Sequence, residues 1–198
     1  MIISKRIARA LSVAFMCVSM SFVVACGEEE EEEEEAAGAL DGTWVGDCSY
    51  NSGDDESEVE TLVFSGTSFT RSADMFSGDG CVAANQFLEM SMSGSLVYGE
   101  GNAIDITPTT TDITFKNADM IANVNAENMF GHSDWEVDVA KTFTEATADV
   151  DWIDSTMYEI YEISGSNLCF GAEVDDTTGD TAETRPTEID STDCLTKQ

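Results

Sequence analysis

Apolar and polar residues alternate with period two in Leu88-Glu89-Met90-Ser91-Met92, in Ile104-Asp105-Ile106-Thr107 and in Trp135-Glu136-Val137-Asp138-Val139. Successive side chains of a strand point to opposite faces, so each stretch sets one apolar face against one polar or acidic face, the pattern of a strand half in a core and half in water. Ser65-Gly66-Thr67, Ser93-Gly94-Ser95 and Ser164-Gly165-Ser166 share a turn signature, with an apolar residue close on either side of each. Glycine supplies the positive φ that tight hairpins need. Repeated hairpins make sequential neighbours antiparallel, and a long meander with one apolar face leaves no exposed edge when it closes into a barrel. Strands are expected near 43–50, 59–65, 67–76, 86–93, 95–99, 103–107, 111–116, 134–143, 157–164, 167–171 and 189–196. A short helix is expected over about 118–129, ended by Gly131, with Met120, Ile121 and Val124 on one side. The fold class is thus all-β, an antiparallel up-and-down β-barrel with one short helix.

What precedes the barrel is of a different kind. Lys5, Arg6 and Arg9 stand ahead of a weakly polar to apolar run from Ala10 to Ala25. This is the pattern of a signal peptide, and its 16 residues fall short of the ~20 that a membrane-spanning helix needs, which is the alternative. Val23-Val24-Ala25-Cys26 resembles the lipobox of bacterial lipoproteins at all four positions. That resemblance implies a diacylglyceryl group on the Cys26 thiol, cleavage before Cys26, and a further acyl chain, palmitate in type, on the new amino terminus. Two or three acyl chains hold a protein firmly on a membrane where one holds it only marginally. An ordinary secreted protein is the alternative, and it leaves Cys26 without a role. Gly27 stands where an Asp resembling the inner-membrane retention signal would be, so the outer membrane, on its periplasmic or surface face, is the expected location.

Glu28 to Glu35 repel one another and stay solvated, which makes residues 26–40 an extended acidic tether. Fully drawn out it spans at most about 50 Å. The division expected is a signal peptide over 1–25, lipidated Cys26 and tether over 26–40, and one barrel domain over 41–198, long enough for a real core.

The charge balance excludes some partners. With Lys5, Arg6 and Arg9 removed, 5 of the 8 Lys+Arg remain against 40 Asp+Glu, a formal charge of −35. Nucleic acid and anionic headgroups need positive charge that is not here, whereas a basic protein or divalent cations would be attracted. Solubility in a salty medium is the plainer reason for such a surface.

Cysteine usage agrees with export. Cys48, Cys81, Cys169 and Cys194 remain after Cys17 leaves and Cys26 is acylated, an even set in an oxidising compartment. Of three possible connectivities, Cys48 with Cys81 and Cys169 with Cys194 is expected, because each closes a local segment between neighbouring strands. A zinc site is the rival, but no two of these cysteines have C-x-x-C spacing and His132 is far from all of them in sequence. Glu173, Asp175, Asp176 and Asp180 crowd one segment and Asp149, Asp151 and Asp154 another, without the order of a calcium loop, so both read as solvated acidic loops and no metal is expected.

Leu40-Asp41-Gly42-Thr43-Trp44 resembles the G-x-W opening of lipocalins and related calycin barrels. The resemblance implies that Trp44 plugs the closed end and that a late cation, Arg185, packs across its face. Gly42-Thr43-Trp44, Ser133-Asp134-Trp135, Tyr158-Glu159-Ile160-Tyr161-Glu162-Ile163 with Phe170-Gly171, and Arg185-Pro186-Thr187 with Asp190 are together similar to a poorly characterised group of lipocalin-like bacterial lipoproteins. That group has no established activity to lend.

No G-x-S-x-G elbow is present, and His132, beside Gly131 and Ser133, reads as a loop residue, so neither an enzyme nor a cofactor is expected. Two readings follow. In one, a membrane-anchored, non-catalytic barrel binds a small apolar or amphipathic ligand lined by Trp135, Met90, Met92, Phe87 and Tyr98. In the other, an acidic envelope module binds a basic protein, as an inhibitor of a lysozyme-like enzyme would. A filled interior favours the second and a cavity of several hundred cubic ångströms the first.

Overall fold

The computed structural model describes residues 38–144, 153–175 and 177–198, so the lipobox, Cys26 and the glutamate run lie outside the described residues. In chain order the elements are β1 (Gly42–Val45), β2 (Ser49–Asn51), β3 (Glu56–Ser65), β4 (Ser68–Ser77), β5 (Gln86–Tyr98), β6 (Ala103–Phe115), α1 (Ala118–Ala126), β7 (Lys141–Thr144), β8 (Met157–Ser164), β9 (Asn167–Gly171) and β10 (Ile189–Lys197). Every strand pairing is antiparallel. Strands β1, β3, β4, β5, β6, β8, β9 and β10 pair in that order and β10 returns to β1, which closes an eight-stranded barrel. β2 continues β1 along β3, and β7 pairs with β6 farther along the edge that β8 uses.

Two of the three glycine turns are hairpins. Gly66 (φ 57°) joins β3 to β4 and Gly165 (φ 65°) joins β8 to β9, both in the left-handed region that a side chain disfavours. The third, Ser93-Gly94-Ser95, is a correction: β5 runs through it unbroken. Gly94 faces Pro108 across a register irregularity between β5 and β6, and a Cβ on Gly94 would lie 2.0 Å from the Thr107 carbonyl oxygen. Glycine is present there so that two bent strands can approach, and the break expected in β6 at Pro108 is likewise a bend within one strand.

The strand expected over 134–143 is also corrected, since only Lys141–Thr144 pairs, as β7. Trp135 spends its backbone N–H and C=O on the Asn125 side chain at the end of α1, and Asp138 takes a left-handed conformation (φ 59°), so this alternating stretch is a loop. Helix α1 is shorter than expected. Asn117 caps it by accepting from the Asp119 N–H, Val124 is buried, and Met120 and Ile121 pack against the core. A second short turn, Met129–Gly131, follows.

Both expected disulfides are present. Cys48–Cys81 ties the joint between β1 and β2 to the loop after β4, and Cys169–Cys194 crosses directly between β9 and β10.

The barrel holds two separate apolar clusters. One fills the closed end with Leu40, Trp44, Phe64, Phe69, Leu96, Leu168 and their neighbours; the other, under α1, contains Met75, Leu88, Met90, Phe115, Trp135 and Phe143. Between them the inner face is not apolar, contrary to the alternation argument. Glu56, Glu58 and Glu60 lie on the same face of β3 as buried Leu62 and Phe64, and opposite them β4 carries Arg71, paired with Glu60.

Candidate functional site

Trp44 is fully buried at the closed end, its indole N–H donating to the Leu40 carbonyl at 2.7 Å. The cation over its ring is Lys197, 4.9 Å from the ring centre, and not Arg185. Register explains the correction, because β10 pairs with β1 so that Lys197 stands directly opposite Trp44. Arg185 instead lies 5.3 Å from the Tyr158 ring and hydrogen-bonds Asp105 and the carbonyls of Ile104 and Glu159.

The residues expected to line a ligand cavity are divided between two clusters and the belt between them. Met90, Phe87 and Trp135 are buried in the cluster under α1, Tyr98 is buried in the closed-end cluster, and Met92 is half-buried, paired with Arg71 and Thr111 in the belt between them. Phe87 is the extra residue where β4 and β5 slip register between Met75 and Phe76. Trp135 sits in an aromatic group, edge-on to Phe115 at 4.8 Å and tilted against Phe143 at 6.2 Å, with its indole N–H donating to the Met129 carbonyl. A small apolar pocket opens between the sheet and the α1 side, lined by Glu56, Met75, Phe87, Met120, Met129 and Phe130 among others. Its free volume of about 10 Å³ admits one water-sized body. Burial among the hydrophobic residues pushes the Tyr98 phenol up to about 12, as expected for a hydroxyl serving the core.

His132 is half exposed, its ring edge-on to Trp135 and Phe143 and its Nδ1 3.5 Å from Asp134. Among the described residues, no group of three or more His, Cys, Asp or Glu is placed to hold a metal ion.

The feature that sequence reading missed is the fate of the positive charges. Residues 41–198 contain 32 acids, the 40 of the chain less the eight in the tether, and only Arg71, Lys116, Lys141, Arg185 and Lys197 as cations. Each of the five is engaged inside the fold. Arg71 pairs with Glu60 and Arg185 with Asp105, while Lys116 lies 2.8 Å from Glu89 and 3.5 Å from Asp138. Lys141 lies 3.0 Å from Asp134 and 5.4 Å above the Trp135 ring, and Lys197 covers Trp44. The hydrogen bond with Glu89 raises the affinity of Lys116 for its proton, and the hydrogen bond from Lys141 holds the Asp134 carboxyl below the ordinary range. The cations are therefore already committed within the chain, and they leave most of the acids without a cationic partner. Pairing of this kind depends on register and could not be read from composition.

Neither a scan of family models nor a search of curated proteins found a match to this chain.

Proposed function

We propose that this chain is a non-catalytic, lipid-anchored envelope protein whose acidic barrel recognises a basic protein. The observation that carries the reading is that each of the five cations of residues 41–198 has a partner within the chain while the acids exceed them by 27, so that no cation is spare to offset the negative charge toward a partner. Complementary charge chiefly raises association rate and excludes wrong partners, which suits a tethered module that must find its target in the envelope. The division of the expected lining residues between two packed clusters supports surface recognition over carriage. Anchoring through Cys26 and placement on the outer membrane rest on the lipobox and on Gly27; kinship with lipocalin-like lipoproteins rests on the motifs around Trp44, Trp135 and Arg185.

Two measurements test the proposal. Cys26→Ser should abolish fatty-acid labelling and leave the precursor uncut; labelling that persists ends the lipoprotein reading. Binding of captured partners by the mature chain should select basic proteins, with association rates that fall as salt rises, because screening cuts the reach of the field to about 8 Å at physiological ionic strength. Tight, salt-insensitive binding of an acidic protein or of DNA would overturn it, and retention of a lipid-like small molecule would transfer the assignment to the carrier.

A further inference from the structure

The connection from β9 to β10, residues 172–188 with residue 176 outside the described set, lies across the ends of β6 and β8. Its fastenings are few. The Ala172 N–H donates to the Glu188 carbonyl and closes the base, the Tyr158 N–H on β8 donates to the Gly179 carbonyl, and buried Pro186 seats against Gly171. Arg185 supplies the rest, donating to the Ile104 and Glu159 carbonyls at 2.9 and 2.7 Å and to Asp105 at 2.5 Å.

Under this connection sits the Glu159 side chain. A Cβ on Gly171 would lie 3.1 Å from its Oε2 and one on Gly179 3.6 Å from its Oε1, so both glycines leave room for the carboxyl. Among the described residues, Oε2 is the one buried side-chain oxygen or nitrogen with no hydrogen-bond partner. The charged and titratable groups around it are Glu173 and Arg185 of the connection, Asp105 of β6 and Tyr158 of β8. Arg185 is adjacent, yet its hydrogen bonds go to Asp105 and the carbonyls of Ile104 and Glu159. Leaving one buried oxygen of a carboxylate without a partner is costly, which favours the neutral acid.

We propose that residues 172–175 and 177–188 form a pH-sensitive strap, shut over the barrel end while the Glu159 carboxyl is protonated and released when that proton passes to water. Once charged, the Glu159 carboxylate needs solvent that reaches it only if the strap lifts, and Glu173 repels it from the strap side. Residues 172–188 carry six acids against Arg185 alone, so nothing else in the strap compensates the new charge. Burial first, then Glu173, raises the Glu159 carboxyl from 4.5 to about 7; the N–H groups of Gly171 and Ile160 and the Arg185 charge only partly oppose this. Because closure raises proton affinity, it is strongest below about 4.5 and weakens as pH climbs through about 7. The proposal is independent of the partner assigned above.

Hydrogen exchange of the mature chain, read on peptides and corrected for intrinsic rate, tests it. Protection of peptides covering 172–188 and Tyr158 should fall tenfold or more between about pH 5.5 and about pH 8, with a ceiling of roughly 300-fold set by that change in proton affinity. Peptides from β4 and β5 should hold steady. Glu159→Gln, a neutral isostere, should keep the strap protected at both pH values. Glu173→Gln, which retains the titrating carboxyl, should leave the strap better protected at about pH 8 and shrink the pH response, because the charge that repels ionised Glu159 is gone. An equal pH response in wild type and Glu159→Gln, loosening spread over β4 and β5, or a pH response that Glu173→Gln leaves undiminished would each overturn the proposal. His132 lies against Trp135 and Phe143, away from residues 172–188, so any effect of its own would appear in β7 peptides.

Discussion

Gly94 and Lys197 are the positions where one side chain decides most. A methyl group on Gly94 would meet the Thr107 carbonyl oxygen at 2.0 Å, the Pro108 Cα at 2.8 Å and the Phe69 ring at 2.9 Å, and two of these three are backbone that cannot step aside. Gly94→Ala should therefore destabilise the barrel by about 3 kcal/mol or more, the upper range for overpacking, read as a lower urea midpoint at unchanged slope. Lys197→Met keeps the aliphatic stem over Trp44 and removes only the charge, a loss of about 0.5 to 2 kcal/mol, accompanied by a shift in Trp44 emission. Arg185→Met should leave that emission unchanged, because Arg185 lies on Tyr158. An emission change with Arg185→Met and none with Lys197→Met would reverse the assignment. The need for a cation on Trp44 was legible in the Gly42-Thr43-Trp44 opening. Which cation was not, since β10 had first to pair Lys197 with Trp44.

Among elements, the two disulfides join segments that the barrel already brings together. They close loops with sequence separations of 33 and 25 residues, and each should contribute about 2 to 4 kcal/mol through the unfolded chain. Non-reducing peptide maps should recover Cys48 with Cys81 and Cys169 with Cys194, and reductant should lower the unfolding midpoint; four free thiols in protein isolated without reductant would contradict this. Element type was legible for hairpins β3–β4 and β8–β9, where Gly66 and Gly165 have the positive φ that the turn demands. It failed at Gly94 and at Trp135–Val139 for one shared reason. Glycine and alternation describe local conformation, whereas a strand exists only if a neighbour accepts its backbone groups. Gly94 found neighbours on both sides, in β4 and β6, and Trp135 found Asn125 instead.

For the whole molecule the dominant physical fact is charge. The domain carries 32 acids against five cations, all five internally engaged, and such a surface repels itself. Thermal stability should rise with added salt as that repulsion is screened, in contrast to most domains held by surface ion pairs. A melting temperature that falls steadily with salt would mean that the few ion pairs outweigh the repulsion.

The sequence by itself determined the all-β class, the disulfide partners, the acidic excess and the burial of Trp44. The first three follow from composition, from period or from short-range spacing, which a chain carries before it folds, while the burial of Trp44 was implied by the resemblance of its Gly42-Thr43-Trp44 opening to lipocalins. Tertiary structure alone decided that Glu56, Glu58, Glu60 and Arg71 share the inner face, that the cations find partners within the chain, and that Oε2 of Glu159 is buried without a hydrogen-bond partner beside Gly171. Those outcomes depend on register and closure. A barrel seam places residues from opposite ends of the chain, such as Trp44 and Lys197, in contact, and no local pattern specifies which they will be.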